Sequence, residues 1–392
     1  MIANTRKMRK IQEIIESILK EEVFLCDALN GAIDDGVITE EKIKEAAKIA
    51  KKPGMHEEEI VHLTKEEIMA NPYLQNIKVP NVSNNRFKLS NKRIIRPGFV
   101  TKYKAKQRDL KTMRQVNSYF VCDKSLRFPG ISEGEQTTCW MTVEPSEIES
   151  FKKIIEEATG KVLLLGCGLG YLAYMLSRKD EVTSITIVDN NQDVLDLFTT
   201  HILPQFDNKE KVKVVNSDGL DYLKNTDLSI FNNVNVDIWY DTIDMIYTYL
   251  RCLEIERNNP TVNFSYWLEE ELKFDIQKSI LIATTRQDCV AGKENASLPV
   301  DSLANIPGHH FLSDVIGKDL VCQTPIYSYE DLYELVDIKD LRSLLFGWYA
   351  NNFDKVESQE KKNIGRLRRI HNNMTMAHLQ QPIETPNKVY FK

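Results

Sequence analysis

The sequence predicts an α/β protein centred on a doubly wound, mostly parallel sheet, with a helical amino-terminal module, a small β-rich segment and a helical carboxy-terminal tail. Three observations lead there. The apolar run Val162, Leu163, Leu164 and Leu165 passes directly into Gly166-Cys167-Gly168-Leu169-Gly170 and then into a helical pattern. Further short strands are expected at 184–188, 212–216 and 234–239, separated by helical stretches. On both sides of this region the alternation stops. Continuous apolar runs without polar alternation suit strands covered by helices on both faces.

Taken in chain order, Ile11, Ile14, Ile15, Ile18 and Leu19 recur at helical spacing and continue to Leu29, predicting an amphipathic helix that ends near Gly31. Thr39 and Thr64 read as N-caps of two further helices, the second with Glu67 completing a capping box and Pro72 ending it. The first seventy residues therefore read as helical, with an apolar stripe that packs on its own domain or offers a homodimer face. From 77 to 143 the pattern shifts to short segments at 77–79, 86–89, 99–103 and 118–122, punctuated by Pro, Gly, Asn and Ser, as small strands and loops are. A helix at 147–158 introduces the alternating region. Helical patterns return at 329–349 and 357–372. The expected domains are 1–75, 76–145, 146–290 and 291–392.

Composition narrows the function classes. With 392 residues the chain exceeds what one core usually organises, and 42% hydrophobic with 28% charged residues is ordinary for a globular protein. A formal net charge of -6 argues against a surface built throughout for polyanions. One segment is locally basic: Arg86, Lys88, Lys92, Arg93, Arg96, Lys102, Lys104, Lys106, Arg108, Lys111 and Arg114 face only Asp109. It suits nucleic acid or an anionic substrate, and equally a solvated rim. The seven cysteines are scattered without a CxxC pair, and the charged amino terminus does not fit a signal peptide. No apolar run approaches the ~20 residues of a membrane span. A cytoplasmic protein is expected. His56 and His62, and the pair His309-His310, lack ligands at metal spacing, so no metal is expected.

The chemistry lies where strands end. Strand, glycine turn and helix, in that order, let a ligand lie against backbone amides with no Cβ in the way, beside the positive end of the helix. The strand at 184–188 ends in Asp189, followed by Asn190; a carboxylate there accepts both hydroxyls of a ribose diol. The strand at 212–216 ends in Ser217-Asp218-Gly219, an acid placed to accept from an adenine amino group. The fourth carries Asp237 and is followed by Tyr240 and Asp241. Together these predict an adenosine-containing cofactor at one edge of an open α/β sheet. A dinucleotide site would place its third small residue where Tyr171 stands, and no GKS or GKT marks a P-loop.

The G-x-G-x-G spacing resembles motif I of class I S-adenosylmethionine-dependent methyltransferases. The stretches KVLLLGCGLGYLAYML, ITIVDNNQDVLDLF, VKVVNSDGLDYLKN and VDIWYD are similar to the Rossmann-like core of that superfamily, especially its spermidine synthase branch, over the middle third of the chain. The resemblance implies S-adenosylmethionine as cofactor. Gly166, Cys167, Gly168, Leu169, Gly170, Asp189, Asn190, Ser217, Asp218, Gly219 and Asp237 would hold it, and Asp237, Asp241 and Tyr240 would serve catalysis on a small-molecule acceptor such as an amine. The chain departs from the pattern in two places. Leu164 stands where many methyltransferases carry an acid two residues before the first glycine, and Asp237-Ile238-Trp239-Tyr240-Asp241-Thr242 replaces the D-S-S-D-P run of spermidine synthases. Aminopropyl transfer, a nucleic-acid-binding or nucleic-acid-modifying role through 86–114, and a non-catalytic cofactor-binding protein are the other readings. Trp140, Met141 and Thr142 before the core, and Trp239, Tyr266 and Trp267 near its ligand edge, would stack on adenine, enclose a cation, or pack the core.

Overall fold

The computed structural model describes residues 2, 6–31, 55–95, 98–122, 125–134, 141–239, 241–285, 312–354 and 356–358. The expectations at Thr39, Tyr240, His309, His310 and most of 357–372 lie outside them. Its elements are, in order, α1 (Arg6–Gly31), β1 (Met55–Leu63), α2 (Lys65–Met69), α3 (Pro72–Asn76), β2 (Val82–Ser83), β3 (Phe87–Ile95), β4 (Gly98–Asp109), β5 (Arg114–Cys122), β6 (Leu126–Glu133) and β7 (Met141–Thr142). The α/β core follows: α4 (Pro145–Ser150), α5 (Lys152–Glu157), β8 (Gly160–Leu165), α6 (Tyr171–Ser177), β9 (Val182–Asp189), α7 (Gln192–Leu197), β10 (Val212–Asn216), α8 (Gly219–Asn225), β11 (Asn233–Val236), α9 (Thr242–Arg257), β12 (Asn263–Tyr266) and α10 (Glu269–Thr285). Helices α11 (Lys318–Gln323), α12 (Tyr329–Val336) and α13 (Leu341–Ala350) complete the described chain.

The expected parallel sheet is present, with five strands in the order β10-β9-β8-β11-β12, every pairing parallel. Its alternate faces feed two cores. Leu163 and Leu165 of β8 enter one with α1, α9, α10 and the carboxy-terminal helices, while Val162 and Leu164 enter the other with α2, α3, α6 and α7. This explains why β8 is apolar throughout: both its faces are covered. Two smaller sheets precede the core, β1-β5-β4 and β2-β3-β6-β7.

Several local expectations need correction. Residues 55–63 form β1, parallel to β5, so the first seventy residues are not all helical. The capping box at Thr64 and Glu67 forms as expected, but Pro72 opens α3 instead of ending α2. Proline lacks the amide that a first helical turn leaves unused, and so fits there. Residues 77–79 make no strand, because the side chain of Gln205 takes both backbone groups of Lys78. The helix at 147–158 breaks at Phe151, and the stretch at 329–349 splits where Asp340 caps α13. Arg108, counted in the basic segment, is buried: it donates to the Met113 carbonyl at 2.6 Å and stacks over Phe274 of α10 at 4.9 Å. Arg86 pairs with Glu133. No described helix is long and apolar enough to cross a membrane.

Candidate functional site

The sheet changes winding direction at β8, with β9 and β10 on one side and β11 and β12 on the other. Ligands of open α/β sheets bind at such a point, beyond the carboxyl ends of the strands. Register makes the strand ends level: Leu165 lies opposite Val188 and Val236, and Asp189 opposite Asn216. Backbone bonds extend the row past the strands. Gly166 donates to the Val188 carbonyl at 2.8 Å, Ser217 to Asp189 at 3.1 Å, and Asp237 to Leu165 at 2.9 Å. The glycine turn, Asp189, Ser217 and Asp237 therefore occupy one edge.

Gly166, Gly168 and Gly170 all have positive φ. At Gly166, with φ of 101°, a Cβ would lie 2.1 Å from the backbone oxygen of Asp237, so the close approach of the two loops excludes any side chain. The turn is held from behind by α3. Tyr73 is fully buried and donates to the Leu169 carbonyl at 2.6 Å, and Asn71 donates to the Tyr171 hydroxyl at 3.1 Å. Asn71-Pro72-Tyr73 thus reaches the loop as a support, a role that nothing in its local sequence signals.

Asp189 accepts from the Cys167 amide (2.9 Å) with one oxygen and from the Asn191 amide (2.8 Å) with the other. Burial raises its pKa despite these two bonds. Each carboxylate oxygen has a second lone-pair site, so the fixed group still accepts a pair of hydroxyls. Asn190 is exposed beside it. Asp218 is exposed and accepts from the Asp221 amide at 3.0 Å, capping α8, while Gly219 is buried. Ile238, part-exposed, brings Cδ1 to 3.1 Å of where a Gly219 Cβ would stand, and so provides an apolar wall beside Asp218. Sequence reading missed Ile238, since one apolar residue at a strand end carries no pattern.

Asp237 is partly buried, and burial first, then the nearby Asp189 charge, pushes its pKa up to about 7. Glu147 of α4 is raised well above its ordinary value, by burial first and then by Asp237 and Glu144. It too escaped sequence reading, because an acid in a first helical turn looks like a dipole partner. Asp241 is exposed and caps α9 through the Asp244 amide at 2.9 Å. Trp239 turns inward: its indole donates to the Trp267 carbonyl at 3.1 Å and stacks on Tyr266, while the Trp267 indole donates to Ser150. These aromatics pack the core. Burial and Asp189 raise the Cys167 pKa, leaving a neutral thiol.

The family model described as the methyltransferase small domain matches residues 148–233, the span from α4 to the start of β11. That match covers less than a quarter of the chain and falls on the Rossmann-like α/β core. S-adenosylmethionine is the cofactor of that family, and the residues at the edge fit it: a side-chain-free turn, a buried acceptor pair at Asp189, and an apolar wall beside an acid at 218. Among solved structures, this chain is similar over 28% of its length to M. capricolum TrmK in complex with S-adenosylhomocysteine (17% identity, TM-score 0.22, 45% of that chain). It is also similar to the Trypanosoma brucei PRMT1 enzyme-prozyme heterotetrameric complex with AdoHcy (16%, 0.23, 30% and 36%). A third is spermidine synthase from Thermotoga maritima (11%, 0.27, 52% and 74%). The chain spans less than half the length of the first two. No curated protein matches it.

Proposed function

We propose that this chain transfers the methyl group of S-adenosylmethionine to a small-molecule acceptor, an amine in particular. One observation carries the reading: the glycine turn, Asp189, Ser217-Asp218-Gly219 and Asp237 stand side by side at the ends of four adjacent parallel strands. The cofactor, when bound, supplies an activated methyl on a sulfonium, so the protein's task is alignment and proton handling. The backbone of Gly166, Cys167, Gly168, Leu169 and Gly170 borders the cofactor. Asp189, with Asn190 beside it, takes the ribose hydroxyls. Asp218, with Ser217 and Gly219, reads the adenine edge against Ile238. Asp237 faces the acceptor, and its elevated pKa suits a group that takes up the proton an ammonium must lose before it attacks. Glu147 places a second carboxyl group there, held toward its neutral form by burial and by the neighbouring acids, which a cationic acceptor would help to ionise. Asp241 and Tyr240 orient the acceptor, Asp241 from its capping position.

Calorimetry with S-adenosylmethionine, decarboxylated S-adenosylmethionine and NAD tests the reading. Binding of the first at micromolar strength, with NAD silent, is expected. A clear preference for the decarboxylated form would move the assignment to aminopropyl transfer. A salt-dependent gel shift with RNA or DNA would instead favour a nucleic-acid acceptor through the basic segment. Binding without turnover on a panel of amines would leave a cofactor-binding protein.

A further inference from the structure

The space where a side chain at Gly168 would stand is filled by another side chain of the protein. Met141 belongs to β7, a two-residue strand paired antiparallel with β6 through Ile131. Its thioether crosses from that small sheet to the turn, where Sδ accepts the Leu169 amide at 3.3 Å. A Cβ on Gly168 would lie 2.0 Å from the same sulfur and 2.6 Å from Cε. The methionine therefore occupies the volume that a missing side chain leaves at position 168, and it uses a backbone donor of the loop. That volume and that donor are what a small ligand lying against a glycine turn requires. A methyl thioether is also, chemically, the end of a methionine, the amino acid from which the cofactor's sulfonium arm derives.

Resting on the cofactor reading above, we propose that Met141 is a displaceable stand-in for the cofactor. It holds the glycine turn in its ligand-ready shape and leaves Gly168 and the Leu169 amide when S-adenosylmethionine enters. Leu169 is then gripped twice in the free protein, by Met141 at its amide and by Tyr73 at its carbonyl. Only the first grip is exchangeable. Sulfur is a weak, polarizable acceptor on a flexible stem, whereas the Tyr73 hydroxyl is fully buried. Because Met141 is hydrogen-bonded into β6 and β7, its departure carries news of cofactor occupancy to that sheet. The latch also weakens apparent affinity: one closed nine-tenths of the time costs about tenfold.

The test uses the full chain with 13C-methyl-labelled methionine, the Met141 resonance among the ten methionines being assigned from Met141→Leu. Titration with S-adenosylmethionine is expected to move the Met141 methyl signal to a new position, without any variant in the binding experiment. By calorimetry Met141→Ala is expected to bind S-adenosylmethionine about threefold to tenfold tighter than the native chain, and Met141→Leu, which keeps the bulk, to stay near native affinity. Binding by Met141→Ala with none by the native chain would support the latch in its strongest form. A Met141 signal unmoved at saturation, or weaker binding by Met141→Ala that Met141→Leu restores, would make Met141 a packing residue and overturn the proposal while leaving the cofactor reading intact. Failure of both native and Met141→Ala proteins to bind would overturn both.

Discussion

Asp237 is the residue whose environment says most about chemistry. Its carboxyl sits near neutrality because burial and Asp189 both disfavour its charge. Two consequences follow, of opposite sense. The folded chain binds this proton more tightly than the unfolded one between about pH 4 and 7, so stability should fall as pH rises through that window. The active form under the proposed chemistry is the deprotonated one, so kcat/KM should rise over the same window with a midpoint near 7. Asp237→Asn removes both trends at once. It should flatten the pH dependence of the urea midpoint, apart from what Glu147 contributes, and lower kcat/KM by about a hundredfold, a typical general-base loss. Turnover that survives Asp237→Asn with its pH profile unchanged would exclude Asp237 as the acceptor-facing acid.

At the scale of elements, α3 behaves as the back wall of the glycine turn. Tyr73→Phe keeps the ring, which meets Tyr171 and Tyr174 edge-on at 5.6 Å, but deletes the donor to Leu169. A buried carbonyl left unpaired costs about 1–3 kcal/mol, and here the unpaired group belongs to the loop proposed to border the cofactor. Cofactor affinity should therefore weaken several-fold together with a lowered urea midpoint; a lowered midpoint with unchanged affinity would separate α3 from the site. β8 was legible in the sequence because a strand covered on both faces is a run of apolar residues, and a ligand turn needs glycine. The row formed by Gly166, Asp189, Ser217 and Asp237 was legible too, since Asp189 ends its strand and each of the others follows its strand directly. The supports were not. Tyr73 and Met141 lie 96 and 28 residues before Leu169 in sequence, and their contacts depend on how whole layers stack. β1, reading MHEEEIVHL, hides its pairing with β5 behind three consecutive acids.

For the whole molecule the decisive question is whether the carboxy-terminal helices are an appendage or part of the core. Trp348, Leu345 and Val336 share a buried cluster with β8, β11, α1 and α10, so they should unfold with the sheet. Several side chains tie them in, among them Gln277 of α10, which donates to the Val336 carbonyl at 2.9 Å, and Arg257 of α9, which lies 4.2 Å over the Phe346 ring. Arg342 of α13 donates to both carboxylate oxygens of Glu269 at 2.7 and 2.8 Å and to Glu256 at 2.7 Å, while its guanidinium lies 5.0 Å over the Tyr266 ring. Tyr249 and Tyr266 donate to the same two acids. Removing the arginine leaves two carboxylates, each about one-fifth exposed, without the guanidinium that pairs both. A fully buried pair broken this way costs about 3–5 kcal/mol; partial exposure reduces the expectation for Arg342→Ala to about 2 kcal/mol. Neutralising all three, with Arg342→Met, Glu256→Gln and Glu269→Gln, should recover much of that loss, because no charge is then stranded. Urea unfolding followed by both far-ultraviolet dichroism and tryptophan fluorescence should show one coincident transition in the native chain. A separate early transition at the carboxy-terminal tryptophan would mean that α12 and α13 fold as a unit of their own, and that Arg342 joins two bodies instead of closing one.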